Sequence, residues 1–287
     1  MKYIRNFFIF LFCILLSTYL IWQIPTVKRF TIEKSIEFVN ANADFHIAYQ
    51  NFSYKDLKDI SFENVVIEDQ KNKKELLKVQ KLQVGVDIFK LFLKKELNIK
   101  NLDFVDLIVF IDKNKNIFLN SEEQKNLDYF NSFHVKIENL KFINCSVFYD
   151  NNDVVPNTKL FFDQNHFNVS KINSHLENVI FSKKGISGNI KNFAAESGKI
   201  LFKDLSLEVD YHDGISLKNI NLDSNLGKLS GDCEIFNVEN LDYTLTLRNL
   251  TLYSKKIPLL EKLNSEISLE GSAKGNLHSS CIQSLQH

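Results

Sequence analysis

The chain has 287 residues, of which 35 are basic, 35 acidic, 44% hydrophobic and 24% charged. That balance excludes intrinsic disorder, which needs few apolar residues and a large net charge. Zero net charge also removes the electrostatic footprint of a nucleic-acid binder. Twenty-five Phe against nine Gly, three Pro and one Trp point away from a loop-rich enzyme and toward long strands joined by polar turns.

Residues 7–24, FFIFLFCILLSTYLIWQI, form an uncharged run of 18 residues. At 1.5 Å per helical residue this approaches the roughly 30 Å of a bilayer core. Lys2 and Arg5 precede the run and place the N-terminus in the cytoplasm by the positive-inside rule, with Lys28 and Arg29 as a weaker counterweight beyond it. The exit, Trp22-Gln23-Ile24-Pro25-Thr26, lacks a small-x-small cleavage site. A retained signal anchor over residues 1–25 is therefore favoured over a cleaved signal peptide. Residues 26–43 then predict a short amphipathic helix, with Val27, Phe30, Ile36 and Val39 near one face and Pro25 at its first turn. That helix either leads out of the membrane or lies along its surface.

After Asp44 the apolar period changes from 3.6 to 2. Leu77, Val79, Leu82, Val84 and Val86 are separated by polar or small residues, as are Leu205, Leu207 and Val209, then Tyr243, Leu245 and Leu247. Such alternation predicts strands with one buried face. Asn-, Asp- and Lys-rich spacers lie at 69–75, 112–116, 150–153, 163–165 and 182–185, with short helical stretches expected at 121–132 and 255–264. No long linker divides 44–287, which reads as one continuous, repetitive β assembly.

Internal repetition is the most specific signal. Residues 97–112, LNIKNLDFVDLIVFID, match residues 135–150, VKIENLKFINCSVFYD, at seven of 16 positions. The shared core is apolar-x-apolar-x-Asn-apolar-x-apolar. Further versions place Asn51, Asn64, Asp204, Asn219 and Asn249 at the central position, and residues 174–181 fit with Ser174 in place of the first apolar residue. The apolar positions i, i+2, i+5 and i+7 slip by one residue at the Asn or Asp. In a regular strand such a slip turns every later side chain to the opposite face. A β-bulge absorbs the extra residue and adds bend and twist, and Asn and Asp tolerate the left-handed backbone a bulge needs. The alternative is a turn, with Asn ending one strand and opening the next.

Chemistry-bearing constellations are missing from the pattern. Seven scattered His form no HExxH or similar metal pair, and there is no Gly-rich phosphate loop or GxSxG elbow. Asp112, Asn114, Asn116 and Glu123 imitate a calcium loop, but Ile117 stands where its sharp turn needs Gly. Cys13, Cys145, Cys233 and Cys281 make no CxxC; Cys145 with Cys233 is the one disulfide worth considering against two buried thiols. No cofactor, metal or catalytic residue is expected.

The whole pattern resembles the AsmA-like and TamB-like envelope proteins, specifically the N-terminal part of the TamB-like form found in Bacteroidota. The resemblance rests on the strand at Leu76, Leu77 and Val79, the lysine-flanked Leu91-Phe92-Leu93, the strand from Leu97 to Phe104, and Asn116-Ile117-Phe118-Leu119. Residues 215–233, ISLKNINLDSNLGKLSGDC, and 269–277 extend it. It implies a mainly β fold: an N-terminal transmembrane helix, a short helix, then an elongated curled sheet, the β-taco, whose apolar groove carries lipid. It implies a single-pass inner-membrane protein with its bulk in the periplasm. The implied function is phospholipid transport or outer-membrane protein assembly, with phospholipid acyl chains and an outer-membrane assembly protein of the Omp85 type as partners. Family members are much longer, so a chain ending at His287 reads as a short or truncated member. The motif positions expected to line the groove are Ile99, Leu102 and Phe104, then Ile137, Leu140 and Phe142, then Leu217, Ile220 and Leu222. The competing reading is a membrane-anchored structural or adhesive β-protein with a closed core and a protein partner.

Overall fold

A computed structural model describes residues 24–56, 59–86, 96–112, 134–151, 153–156, 163, 165–182, 185–212, 214–237, 242–254, 257, 266–276 and 279–284. The expected anchor therefore lies outside the described residues except for Ile24, as do the expected helical stretch 121–132, nearly all of 255–264 and most of the calcium-like loop. Among the described residues no helix is long and apolar enough to cross a membrane.

The described chain begins with helix α1 (Pro25–Asn42), which carries Pro at its first turn and lacks a side-chain N-cap. Val27, Ile36 and Val39 are half-buried, but Phe30 is 59% exposed, so the face expected from spacing is covered only in part. Fourteen strands follow. They are β1 (Phe45–Ala48), β2 (Asn51–Asp56), β3 (Asp59–Asp69), β4 (Glu75–Val86), β5 (Glu96–Asp112), β6 (His134–Asp150) and β7 (His166–Ser182). Then come β8 (Gly185–Ser197), β9 (Ile200–Tyr211), β10 (Ile215–Ser224), β11 (Gly227–Asn237), β12 (Asp242–Tyr253), β13 (Glu266–Asn276) and β14 (Ser279–Ser284).

All fourteen belong to one curled, non-closed sheet. Strands β3 to β14 pair in chain order, while β1 and β2 lie end to end along the outer edge of β3. That edge is guarded: the Asn40 side-chain amide donates to the Ile47 carbonyl at 2.9 Å, and its oxygen accepts from the Ile47 N–H at 2.7 Å. An edge residue thus finds both backbone partners within its own chain.

Every pairing is antiparallel except β5 with β6. These two are the sequence repeat, and they pair parallel without a register shift, Ile99 with Ile137, Leu102 with Leu140 and Phe104 with Phe142. Like therefore lies beside like. Phe104 stacks on Phe142 with ring centroids 5.4 Å apart, and Phe110 on Phe148 at 5.6 Å.

The slips in the apolar pattern are mostly bulges, and they sit inside continuous strands. Among the described residues seven other than Gly have positive φ, and six of them mark a slip: Asn64, Asp106, Asn144, Lys171, Asn178 and Asn219. At Asn219 two residues of β10, Lys218 and Asn219, oppose Asp232 alone on β11. The bulge withdraws the Asn219 N–H from the ladder, and the Asp232 carboxylate accepts it at 2.7 Å. Asn144 repeats the device, its N–H donating to the Asn173 side-chain oxygen at 3.1 Å while its own amide donates to Asp106. Register also shifts beside Asn101 and Asn249. The register does not shift at Asn139 against β5 or β7 or at Asn64 against β4, and Asn51 follows the turn reading, because it opens β2 after a break from β1.

Candidate functional site

The slips align the apolar residues of successive strands into rows that run across the sheet. The first row is Ile99, Ile137 and Val179, continued beyond Gly188 by Val209, Leu217, Cys233, Leu245 and Ala273. A second runs Val84, Leu102, Leu140, Leu176, Ile190 and Leu207, then past the Asn219 bulge to Ile220, Gly231, Leu247 and Gly271. A third holds Leu82, Phe104, Phe142, Ser174 and Phe193, and Leu205, Leu222, Leu229 and Leu250 carry the same pattern on β9–β12. All nine candidate residues lie on these rows, three to each. The second row crosses ten strands, which at a spacing of about 4.8 Å is a stripe roughly 43 Å long.

The rows are not equally accessible. Ile137 is 5% exposed and Leu140 8%, and with Val179 they form a core cluster packed by Ile99, Leu102, Phe104 and Phe142. Leu217, Ile220 and Leu222, four strands further along, are half-buried, as are Ile99, Leu102, Phe104 and Phe142, but belong to neither core cluster. The structure therefore gathers six of the nine candidates into one packed cluster and sets the other three outside it on the same face. Ser174, which interrupts the third row, is buried, and its hydroxyl donates to the Asn192 carbonyl at 2.9 Å.

A further row escaped the motif reading. Val65, Val79, Leu107, Cys145, Ile172 and Ala195 lie level on β3–β8 and form the larger core cluster. Each of Val65, Leu107, Cys145 and Ile172 directly follows a left-handed residue, namely Asn64, Asp106, Asn144 and Lys171. The signal was present: Leu102-Asp103-Phe104-Val105-Asp106-Leu107-Ile108-Val109 is itself a copy of the motif, overlapping the one centred on Asn101. Apolar Val105 at a position expected to be polar hid it. Cys145 and Cys233 are both free thiols, on strands β6 and β11, so the disulfide considered from sequence is not formed. Burial raises both thiol pKa values above the ordinary range.

The opposite face is mixed, with Ile143, Phe148 and Phe236 exposed among its charged residues. A concavity of about 640 Å³ opens there against β7–β11, with Glu208, Asp210, Lys218 and Glu234 among its lining. These groups are occupied with one another: Lys218 lies 3.9 Å from Glu234, Asn219 donates to Glu208 at 3.0 Å, and His212 pairs with Asp210. Among the described residues no group of three or more His, Cys, Asp or Glu could hold a metal ion. No family model matches the chain, and no curated protein matches it. The apolar rows are thus the feature from which a function has to be argued.

Proposed function

We propose that this chain is a non-catalytic, membrane-anchored lipid-handling module that holds phospholipid acyl chains along the apolar face of its sheet. In this reading the uncharged run at 7–24 anchors it in the inner membrane, and the sheet lies in the periplasm. Its role is phospholipid transport or support of outer-membrane protein assembly. The observation that carries the reading is the set of charge-free rows crossing β4–β13 on one face of a sheet that does not close on itself. A soluble protein rarely leaves so long an apolar stripe open without a partner for it. An acyl chain suits such a stripe because each buried methylene contributes about 0.8 kcal/mol and brings no polar group needing a partner.

The test is lipid co-purification. The full chain, extracted in detergent, is examined by mass spectrometry beside Leu217→Asp and Leu222→Asp variants of unchanged circular dichroism. Retained phospholipid that falls in both variants is the expected result. A chain that retains no phospholipid, or folded variants that retain as much as the parent, would remove the reading.

A further inference from the structure

Resting on the lipid-handling reading, we infer that acyl chains load only on the β9–β13 part of the apolar face, the β3–β8 part being filled by the protein's own side chains. Every buried hydrophobic side chain among the described residues, from Val65 to Ala195, belongs to β3–β8. On β9–β13 the face keeps the same pattern, yet none of its described hydrophobic side chains is buried, and Leu269 is exposed within the rows, whereas on β3–β8 the exposed apolar residues of this face, Ile111, Phe181 and Ile186, stand only at the strand ends. The central row of the first part is packed by Phe62, Phe104, Phe142 and Phe193, with Phe202 of β9 at its boundary. Among the described residues no core cluster extends onto β10–β13. There Gly231 and Gly271 flank Leu247 in register, so two of three neighbouring positions contribute no side chain and the surface is shallow.

The dimensions fit one acyl chain. Five strands at about 4.8 Å span roughly 19 Å, and one leaflet's acyl chain fills about half of a 30 Å bilayer core, roughly 15 Å. Chemistry separates lipid from an extended peptide as the occupant. The face presents Leu, Ile, Val and Gly without a charge, so a peptide laid on it would lose water from its backbone and gain few hydrogen bonds. An acyl chain has no such groups to desolvate.

The two free cysteines supply the test. Cys233 lies on the β11 segment of the proposed site, between Leu217 and Leu245, and Cys145 is 2% exposed within β6. In the full chain carrying Cys13→Ser and Cys281→Ser, maleimide alkylation of each is followed by mass spectrometry. The chain is held in dodecyl maltoside micelles with and without palmitoyl-oleoyl phosphatidylglycerol. The expected result is that lipid slows alkylation of Cys233 about ten-fold at about ten times its half-saturating concentration. Cys145 stays unreactive throughout, which also reports that the β3–β8 part is folded in every sample. Leu217→Asp removes the protection and leaves Cys145 unreactive. Lipid that co-purifies but leaves Cys233 as reactive as before overturns the location alone. A chain that neither retains lipid nor protects Cys233 overturns the lipid-handling reading as well. Protection of Cys233 in the purified chain without lipid in the mass spectrum would mean a protein occupant and would overturn the inference.

Discussion

Replacing Asn144 by Val and by Gly should reverse the usual ranking of those two residues in a strand. In a regular strand Val packs well on the pleat, whereas Gly weakens it. Asn144, however, holds φ at 54° in the bulge of β6. A side chain in that left-handed region costs about 1–2 kcal/mol, more for a β-branched one, and Gly escapes the cost. Either substitution also loses the hydrogen bond from the Asn144 amide to Asp106, worth about 1 kcal/mol at this exposed position. The Asn144 N–H bond to Asn173 uses the backbone and survives both changes. Asn144→Gly should therefore lie within about 1 kcal/mol of the parent, and Asn144→Val about 2–3 kcal/mol below it. Guanidinium unfolding of the full chain in micelles, followed by circular dichroism, gives the two midpoints. Should Val escape its strain by flattening the strand, the one-residue slip would turn Cys145 to the opposite face. Its thiol would then become reactive, so alkylation catches that outcome. A Val variant as stable as the Gly variant, with Cys145 still unreactive, would refute the claim that the left-handed residue sets the register.

Three more expectations follow from other parts of the sheet. A Cβ at Gly231 would meet the Thr246 carbonyl oxygen at 2.2 Å, so Gly231→Ala must push β11 from β12 and should lower stability by at least about 2 kcal/mol in the same unfolding assay. Asn40→Ala removes both side-chain bonds to Ile47, costs about 1–2 kcal/mol and should speed hydrogen exchange at the Ile47 amide. Burial raises the Cys145 thiol pKa, with Asp106 as a smaller contributor in the same direction. The folded chain then keeps a proton that the unfolded chain releases near about pH 8.5. This group's contribution is complete below that pH and is lost as pH rises toward the folded value. Stability measured from pH 7 upward should decline across that window, and Cys145→Ala should flatten the decline.

Much of the sheet could be read from residues, because a half-buried strand writes its period into the chain. Leu77, Val79, Leu82, Val84 and Val86 announced β4, and the slip at each motif Asn announced a bulge in most copies. The rows that collect Ile99 with Ile137 and Leu217 follow from the same spacing once the strands pair in order. Other features depend on neighbours. The motif marks Asn101 and Asn139, yet the left-handed residues of β5 and β6 are Asp106 and Asn144, five positions on. Both slips meet the same pattern, and the choice of backbone conformation rests on what the adjoining strand accepts. Parallel pairing of the repeat was equally hidden. Two copies of one pattern can pair either way, and only the pairing in space stacks Phe104 on Phe142. Graded burial was invisible as well, since Leu140 and Leu222 hold similar motif positions and end in different surroundings.

That gradation has a physical source in the number of slips per strand. β5 slips between Ile99 and Leu102 and again between Phe104 and Leu107; β6 and β7 likewise slip twice. β11 and β13 keep an unbroken period of two, as in Leu229, Gly231, Cys233 and Ile235. Each bulge bends its strand and adds twist, so a strand with two bends more than a strand with none. The strands with two slips carry Leu107, Ile137, Leu140, Cys145, Ile172 and Val179, and the remaining buried hydrophobic residues, Val65, Val79 and Ala195, lie on β3, β4 and β8 beside them, which slip once. On β11 and β13, which have no slip, none of the described hydrophobic side chains is buried. Slip density therefore marks where the core is centred, and burial fades on both sides of β5–β7.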